Sequence, residues 1–455
     1  MRALIVDDEP TVRSFIATIL KADGWEIEEA ESAEKAFERI GEHNWNLICC
    51  DVVMGGIDGY SALHRFRELI PDARVVLMTG YGTAAGALSA AAAGAFDYLL
   101  KPFTPEALQS IARDVKESFD SRRHHSIQQM PYIESLASES ELVGSSEAFI
   151  EIMKQVGKVA MTNLPVLIMG ESGTGKEVVA RALHRRSERA IKPFVAVNCG
   201  AIPAELIESE LFGHIRGAFT GADKDRIGLF EEANGGTVFL DEITETSPTF
   251  QVKLLRALQE NEIRRVGSNR TQRIDVRVIA ASNRDIEEEV QAGRFRQDLY
   301  YRLNAFSINL PPLRERVSDI VTLAHHFARP YKYKRASVGF ERKAIEILEK
   351  YPWPGNIREL ENAIRRAVAL CNGVVRPEDL PERIKEYRLP EITNNSIEIR
   401  VEEKPENEWL TLAQIEGEYV RRVLRFTGNN KQRATRILQI DRKTLDRMIQ
   451  RHKIE

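Results

Sequence analysis

Cysteine is scarce in this 455-residue chain: Cys49, Cys50, Cys199 and Cys371 are the only four, and none stands in a Cys-x-x-Cys spacing. The spacing signature of a paired-thiol site is therefore missing, and with three of the four in or beside apolar strand-like runs they read as buried, reduced thiols. Long apolar runs are missing too. Nothing approaches the ~18 to 20 uninterrupted apolar residues of a membrane helix. The first residues run straight into a strand-like segment without the layout of a signal peptide, so the expected location is the cytoplasm. Neither sign of charge dominates, the net being only -4. No internal repeat is evident.

What is present is unevenly distributed. Residues 1–120 hold 11 Lys and Arg against 20 Asp and Glu, whereas residues 409–455 hold 11 against 5. An acidic head and a basic tail place nucleic acid at the C-terminal end. Two polar stretches, 121–141 and 386–408, read as linkers and divide the chain into three blocks. A length of this order also exceeds a single core and suggests about three domains.

The first block, 1–120, alternates strand and helix. Apolar runs at Ala3–Val6, Leu47–Cys50, Val75–Met78 and Tyr98–Leu100 suit buried parallel strands, and Val12, Phe15, Ile16, Ile19 and Leu20 mark one face of a helix between them. The pattern predicts a doubly wound α/β sheet, whose functional groups gather beyond the carboxyl ends of the strands. Asp7, Asp8, Asp51, Thr79 and Lys101 all follow such runs. Clustered carboxylates suit a hard cation such as Mg²⁺. Asp51 could then attack a phosphoryl group, with Thr79 and Lys101 binding its oxygens and a cis Lys101-Pro102 bond aiming the ammonium. On these residues the block resembles the receiver domain of two-component response regulators. That resemblance implies Asp51 as phosphoacceptor, Asp7 and Asp8 as metal ligands and Tyr98 as an aromatic switch; Gly55 departs from the usual proline.

The second block, 142–385, opens with an apolar strand at Val166–Met169, then GESGTGKE from Gly170 to Glu177 (Gly170, Glu171, Ser172, Gly173, Thr174, Gly175, Lys176, Glu177), then a helical pattern. Strand, glycine loop and helix in that order make a phosphate-binding loop, with backbone N–H groups on the phosphates and Lys176 on the outer ones; Glu177 departs from the usual Ser or Thr. A second strand, Gly236–Leu240, ends in Asp241-Glu242. The first acid can hold Mg²⁺ through water, and the second can orient the attacking water. A third ends at Ser282-Asn283, where Asn283 could sense the outer phosphate. A site that merely bound nucleotide would not need the paired acid.

Five further segments, ELFG at Glu210–Gly213, GAFTGA at Gly217–Ala222, FRQDLYYR at Phe295–Arg302, PPLRER at Pro311–Arg316 and WPGNIREL at Trp353–Leu360, make this block similar to the AAA+ domain of sigma-54-dependent bacterial enhancer-binding proteins. In that family Glu at position 177 is normal. The resemblance implies that Asn198 holds Glu242 as a switch, that Arg296 and Arg302 reach the neighbouring subunit's site, and that Arg358 is a second sensor. It also implies that Phe219 and Thr220, flanked by flexible glycines, contact the sigma factor. Arginine supplied in trans requires an oligomer.

The last block, 409–455, shows an apolar stripe at Leu412, Ile415, Tyr419, Val423 and Phe426. A break at Thr427–Asn430 follows, then Ala434, Ile437 and Leu438, a turn at Gln439–Asp441, and Leu445, Met448 and Ile449. Two short helices around a tight turn fit helix-turn-helix geometry, with Arg442, Lys443, Thr444 and Arg447 offered to DNA. The segment resembles the Fis-type DNA-binding domain, although Gln439 replaces the usual glycine in the turn. The whole chain thus reads as an NtrC-type response regulator using ATP and Mg²⁺. Its expected partners are a sensor histidine kinase, sigma-54 RNA polymerase, double-stranded DNA upstream of the promoter, and further copies of itself, from a dimer to a hexameric or heptameric ring. Two other readings stand beside it: a DNA-binding repressor with a structural nucleotide site, and a remodelling ATPase with another protein client. Lys176, Glu242 and Arg302 argue against the first, GAFTGA against the second.

Overall fold

The computed structural model describes residues 1–120, 142–219, 222–333, 336–387, 412–427, 431–438 and 440–452. Thr220, Gln439, residues 428–430, the two expected linkers apart from 386 and 387, and the side chains of Leu412, Ile415 and Phe426 lie outside the described residues. Residues 1–387 form one compact unit and 388–455 a second.

The receiver block is a parallel sheet in the order β2-β1-β3-β4-β5, with β1 Arg2–Val6, β2 Glu26–Ala30, β3 Leu47–Asp51, β4 Arg74–Thr79 and β5 Asp97–Leu100. Strands β1, β3 and β4 are almost wholly buried because helices cover both faces of the sheet. These are α1 Pro10–Ala22, α2 Ala33–Arg39, α3 Gly59–Leu69, α4 Ala84–Ala92 and α5 Pro105–Asp120. Local chemistry fixes where several begin. Pro10 fills the first turn of α1, and the side chains of Ser32, Asp58 and Thr83 accept the N-terminal amides of α2, α3 and α4. The alanine-rich run is a packed helix, as its composition suggested. The four strand-like runs fall on β1, β3, β4 and β5, and Lys101-Pro102 is cis.

The second block is also a parallel sheet, in the order β10-β6-β9-β8-β7: β6 Val166–Met169, β7 Phe194–Asn198, β8 Thr237–Asp241, β9 Arg277–Ser282 and β10 Phe306–Asn309. Helix α6, Glu147–Ala160, precedes it, and α7, Lys176–Arg185, follows β6. Helices Val317–Ala328, Arg342–Lys350 and Asn356–Leu370 form a lid around Trp353, which is fully buried and donates to the Leu348 carbonyl. The expected architecture holds in both blocks.

The two sheets do not hang apart. Helix α4 of the receiver lies along α6, and Leu88, Ala87, Met153 and Val156 belong to one apolar cluster that runs from β3 and β4 through to β6 and β9. Gly157 permits this approach, since a Cβ there would stand 2.6 Å from the Ala91 Cβ and 2.9 Å from the Leu88 carbonyl oxygen. Lys154 pairs with Asp97 at 2.6 Å on the rim. At its far end α6 is held by the buried Arg277, whose guanidinium donates to the carbonyls of Ala160 and Val159.

In the C-terminal unit, helices Leu412–Phe426, Lys431–Leu438 and Arg442–Arg451 enclose Val420, Val423, Leu424, Ala434 and Leu445. One expectation needs correction: Ile437 is 43 % exposed, and among the described side chains of the short second helix Ala434 and Leu438 are the ones that pack inward, while in the first helix Val420, Val423 and Leu424 are buried and Tyr419 stays 54 % exposed. Cys49, Cys50 and Cys199 are buried, and burial pushes the Cys49 and Cys199 thiols up to about 12, as inert reduced thiols require.

Candidate active sites

Two sites form at the carboxyl edges of the two sheets. In the receiver, the carboxylates of Asp7, Asp8 and Asp51 bring ligand oxygens within 4.8 Å of one another. Lys101 bridges two of them, its Nζ standing 2.6 Å from Asp7 and 2.9 Å from Asp51. Burial pushes the Asp51 carboxyl above its ordinary range, and Lys101 only partly offsets this. Burial also disfavours the charged lysine, but hydrogen bonds to Asp51 and Asp7 outweigh it and hold the ammonium charged. Asp51 Oδ1 is buried without a hydrogen-bond partner, an acceptor left for something the protein itself does not supply. Thr79 is buried at the end of β4, and its Oγ accepts the amide of Tyr81. Tyr98 is buried too, and Gly86 on α4 leaves room for its hydroxyl and that of Tyr60, 2.8 and 3.0 Å from where a Cβ would sit.

In the second site the glycine loop turns between β6 and α7 with Gly173 at φ 79° and Gly175 at φ 98°, conformations that a side chain would strain. Lys176 opens α7 and folds back onto the carbonyls of Gly170 and Glu171, at 2.8 and 3.0 Å. Burial lowers its pKa, and the neighbouring Asp241 and Glu242 draw it back only in part. Asp241 ends β8 and is held above the usual carboxylate range by burial against the pull of Lys176. Glu242 follows in a left-handed conformation, φ 54°, which costs a non-glycine residue about 1–3 kcal/mol and marks sites where geometry is held for function. The space beside Gly200 is shared by Glu242 and Asn198, whose oxygens stand 2.4 and 3.4 Å from a notional Cβ there. Asn198 and Asp241 are register partners across β7 and β8. Asn283 lies exposed just past β9, between the loop strand and the acidic strand.

The lid completes the site. Arg358 approaches the loop, its Cβ 3.2 Å from where a Cβ on Gly173 would be. The lid turn is itself strained, with Trp353 at φ 49° and Asn356 at φ 50°. Buried Asn356 donates to the Ser172 carbonyl and to Glu171, accepts the Leu313 amide, and so ties loop to lid. No role was expected for it. A buried asparagine inside a quoted motif was the available signal. A cavity of about 420 Å³ opens from Thr174 and Gly175 between Leu142, Val143, Phe149, Phe327 and Ile357, walls the sequence did not point to.

Some residues that the loop motif grouped together point elsewhere. The Glu171 carboxylate makes a two-pronged pair with Arg314, at 2.7 and 2.9 Å, and Glu177 pairs with Arg181 one turn along α7. Arg296 pairs with Asp298, and Arg302 donates to the Leu258 carbonyl; neither partner belongs to the nucleotide loop. Gly217 turns at φ 82° and its amide donates to the Ala222 carbonyl, and Phe219 rests edge-on against His214 and stays 38 % exposed. In the C-terminal unit Arg442, Lys443 and Arg447 are exposed, whereas the Thr444 hydroxyl is already given to Asp441, the cap of its helix.

An aspartate pocket on one parallel sheet and a glycine loop with a paired acid on the next, together with a helix-turn-helix in the C-terminal unit, are the layout of a multidomain regulator of DNA. Comparison with known proteins makes this specific. Residues 142–309 match the sigma-54 interaction domain, 3–113 the response regulator receiver domain, 314–396 the AAA+ ATPase lid domain and 411–452 the bacterial regulatory protein, Fis family. The chain is 43 % identical over 444 residues to the transcriptional regulatory protein ZraR of Klebsiella oxytoca, covering 97 % of each, and 38 % identical to the regulatory protein AtoC of Escherichia coli strain K12, covering 100 % of this chain and 98 % of the other. Among solved structures, NtrX of Brucella abortus in complex with ADP superposes with a TM-score of 0.51 at 31 % identity, over 100 % of this chain and 99 % of that one. The chain belongs to the NtrC-type sigma-54-dependent response regulators and is a two-component transcription activator. Among the described residues no helix is long and apolar enough to cross a membrane.

Proposed function

We propose that the protein hydrolyses ATP in the loop site, under control of phosphorylation at Asp51, and uses the turnover to remodel sigma-54 RNA polymerase at promoters to which its C-terminal domain binds. The observation that carries this is the convergence of Lys176, Asp241, strained Glu242 and Asn198 at one sheet edge, beside a cavity of nucleoside size that the lid closes. The ADP and ATP complexes of Brucella abortus NtrX support nucleotide as the ligand. Lys176 would leave its loop carbonyls for the outer phosphates, Glu242 would orient the attacking water, Asn198 would hold Glu242 between turns of the cycle, and Asn283 and Arg358 would read the outer phosphate. Asp241 would hold Mg²⁺ there. Arg296 and Arg302, exposed and turned away from their own loop, would serve the next subunit's site in a hexameric or heptameric ring. We assign the domains as 1–120, 142–385 and 409–455, with linkers between them.

In the receiver, Asp51 would take the phosphoryl group of a sensor kinase phosphohistidine: an Asp51 oxygen bonds to phosphorus as the P–N bond breaks, and the imidazole leaves. Asp7, Asp8 and Asp51 fit a divalent cation such as Mg²⁺, whose charge would shield the incoming phosphoryl oxygens. Thr79 and Lys101 bind those oxygens. Asp51→Asn should fold as the wild type and take up no phosphoryl group, since it keeps size and loses the nucleophilic charge; acid-labile phosphate at the wild-type level would refute the assignment. The function as a whole is tested by ATP turnover of the full-length protein with and without a phosphodonor, followed by promoter opening with sigma-54 holoenzyme.

For DNA, Arg442, Lys443 and Arg447 would face the major groove from two copies of the C-terminal domain, paired along the helix Leu412–Phe426, where exposed Tyr419 offers apolar surface. Thr444 would add a contact through its methyl group, its hydroxyl being engaged. Half-sites should then lie about 10 bp apart or a multiple of that. Replacing a base-reading arginine should cost ~1–3 kcal/mol at one position, and replacing a phosphate contact should lower the salt slope by about one. Footprinting with Arg442→Ala and Lys443→Ala over a salt series distinguishes these outcomes from a domain that only dimerises.

A further inference from the structure

The phosphate loop carries four successive carbonyls, from Gly170 to Gly173, and two different parts of the chain hold them. Lys176 takes the first two, those of Gly170 and Glu171. The lid takes the next two. Asn356 donates its Nδ2 to the Ser172 carbonyl at 3.0 Å, and the Ile357 amide donates to the Gly173 carbonyl at 2.9 Å. Gly173 is where the lid turn comes nearest: a Cβ there would stand 2.4 Å from the Gly355 carbonyl oxygen, so this loop position has to be glycine for steric reasons as well as for its φ of 79°. In a trans peptide the N–H points opposite to the C=O, so the two lid bonds fix which way the Gly173 and Thr174 amides face. Backbone N–H groups are what such a loop offers to phosphate, and reversing either peptide would set a carbonyl oxygen in place of an N–H.

Asn356 is the residue this junction calls for. It is fully buried in a left-handed conformation, φ 50°, a region where asparagine is enriched among residues that carry a side chain. Both ends of its side-chain amide are engaged: Oδ1 accepts the Leu313 amide at 2.8 Å, and Nδ2 donates to Glu171 Oε2 at 3.1 Å as well as to Ser172. Glycine would suit the backbone and leave no bridge. Aspartate would keep the shape and set an acceptor against two other acceptors. On the lid side the turn is held by buried Glu359, which accepts the Gly355 amide at 2.7 Å and the Tyr351 hydroxyl at 3.2 Å. On the loop side the Glu171 carboxylate is steadied by Arg314.

We propose that Asn356 is a positioning residue for phosphate recognition, fixing the Ser172 peptide so that the loop presents amides to a nucleoside diphosphate or triphosphate that Asn356 itself does not touch. This role rests on the reading of the loop as a nucleotide site and adds to it the residue that sets the loop's affinity for phosphate. Its bond matters most once nucleotide is bound. Lys176 then leaves the Gly170 and Glu171 carbonyls for the outer phosphates, and the lid bonds are what still hold loop carbonyls aside. The effect is confined to phosphate, because the nucleoside cavity is walled by residues such as Leu142, Phe149 and Phe327, and Asn356 is not one of its walls.

The test compares ADP with adenosine, which shares the nucleoside and lacks the phosphates. ADP is titrated calorimetrically into the full-length chain, and adenosine is measured by its displacement of a fluorescent ADP analogue. Asn356→Gly, which suits the left-handed backbone and removes the bridge, should raise the ADP Kd by about 10-fold and leave the adenosine Kd within about 2-fold of wild type. Asn356→Asp should raise the ADP Kd at least as much; it keeps the side-chain shape and an acceptor for the Leu313 amide, so it carries the same comparison should the glycine variant fail to fold. A lid that had merely lost its packing would weaken both ligands alike, since Phe327 and Ile357 wall the nucleoside cavity. Equal factors for ADP and adenosine therefore overturn the positioning role, as does an unchanged ADP Kd in either folded variant; both results leave the nucleotide reading standing. No ADP binding by the wild type overturns that reading and the role with it.

Discussion

Glu242→Gln is expected to bind nucleotide as the wild type does and to lose turnover by ~10² to 10⁴-fold, the range of a positioned general base. The substitution keeps the length and the left-handed backbone of the residue but removes the charge that orients water. Lys176→Ala should behave differently. Its ammonium rests on loop carbonyls, poised to swing onto phosphate oxygens, so removing it should weaken binding as well as turnover, the latter by about 10²-fold or more. Nucleotide titration and phosphate release, measured on both variants, separate the two roles. Mixed assemblies extend the test: Arg302→Ala and Glu242→Gln subunits, each inactive alone, should recover some turnover together, because some pairs of neighbours then hold one intact site between them. Turnover at the wild-type level in Glu242→Gln would remove the residue from the chemistry.

Phe219→Ala should have the opposite profile, with ATP turnover kept and promoter opening lost. Its ring packs edge-on against His214, outside the nucleotide site, so truncation leaves the hydrolytic groups in place. An aromatic anchor buried in a partner is commonly worth 2 kcal/mol or more, about 30-fold in affinity. Transcription from a sigma-54 promoter, assayed beside phosphate release on the same preparation, gives both readouts. A variant that opens promoters normally would detach this loop from the polymerase.

How much of this was legible in the sequence depended on whether function lay in contiguous residues or in surfaces. Strands β1, β3, β4 and β5 declared themselves because burial on both faces makes them continuous apolar runs. The edge strand β2 did not, since Glu26-Ile-Glu-Glu-Ala is half exposed and carries no such run. The phosphate loop was clear from its glycines and Lys176, yet the same motif swept in Glu171 and Glu177, whose carboxylates serve Arg314 and Arg181. The cavity walls were invisible for a different reason. Leu142, Phe149, Phe327 and Ile357 come from separate segments, and each alone is an ordinary core residue. The same limit applied to Asp319, a lone acid near a helix start until the fold brings Ser145, Ser146 and Arg316 to it.

The close approach of α4 to α6 has a consequence for inheritance. Receivers of this class share a fold and a chemistry, so on those grounds alone one would serve in place of another. Here the domain boundary crosses a packed interior: Ala91 and Leu88 meet a helix that has given up a side chain at Gly157 to receive them. A borrowed receiver with a larger residue at position 91, or without the acid that meets Lys154, would keep its phosphorylation chemistry and lose its fit to the ATPase. Receiver and ATPase must therefore change together along that seam, and paired substitutions across positions 88, 91, 97, 154 and 157 should record their shared descent.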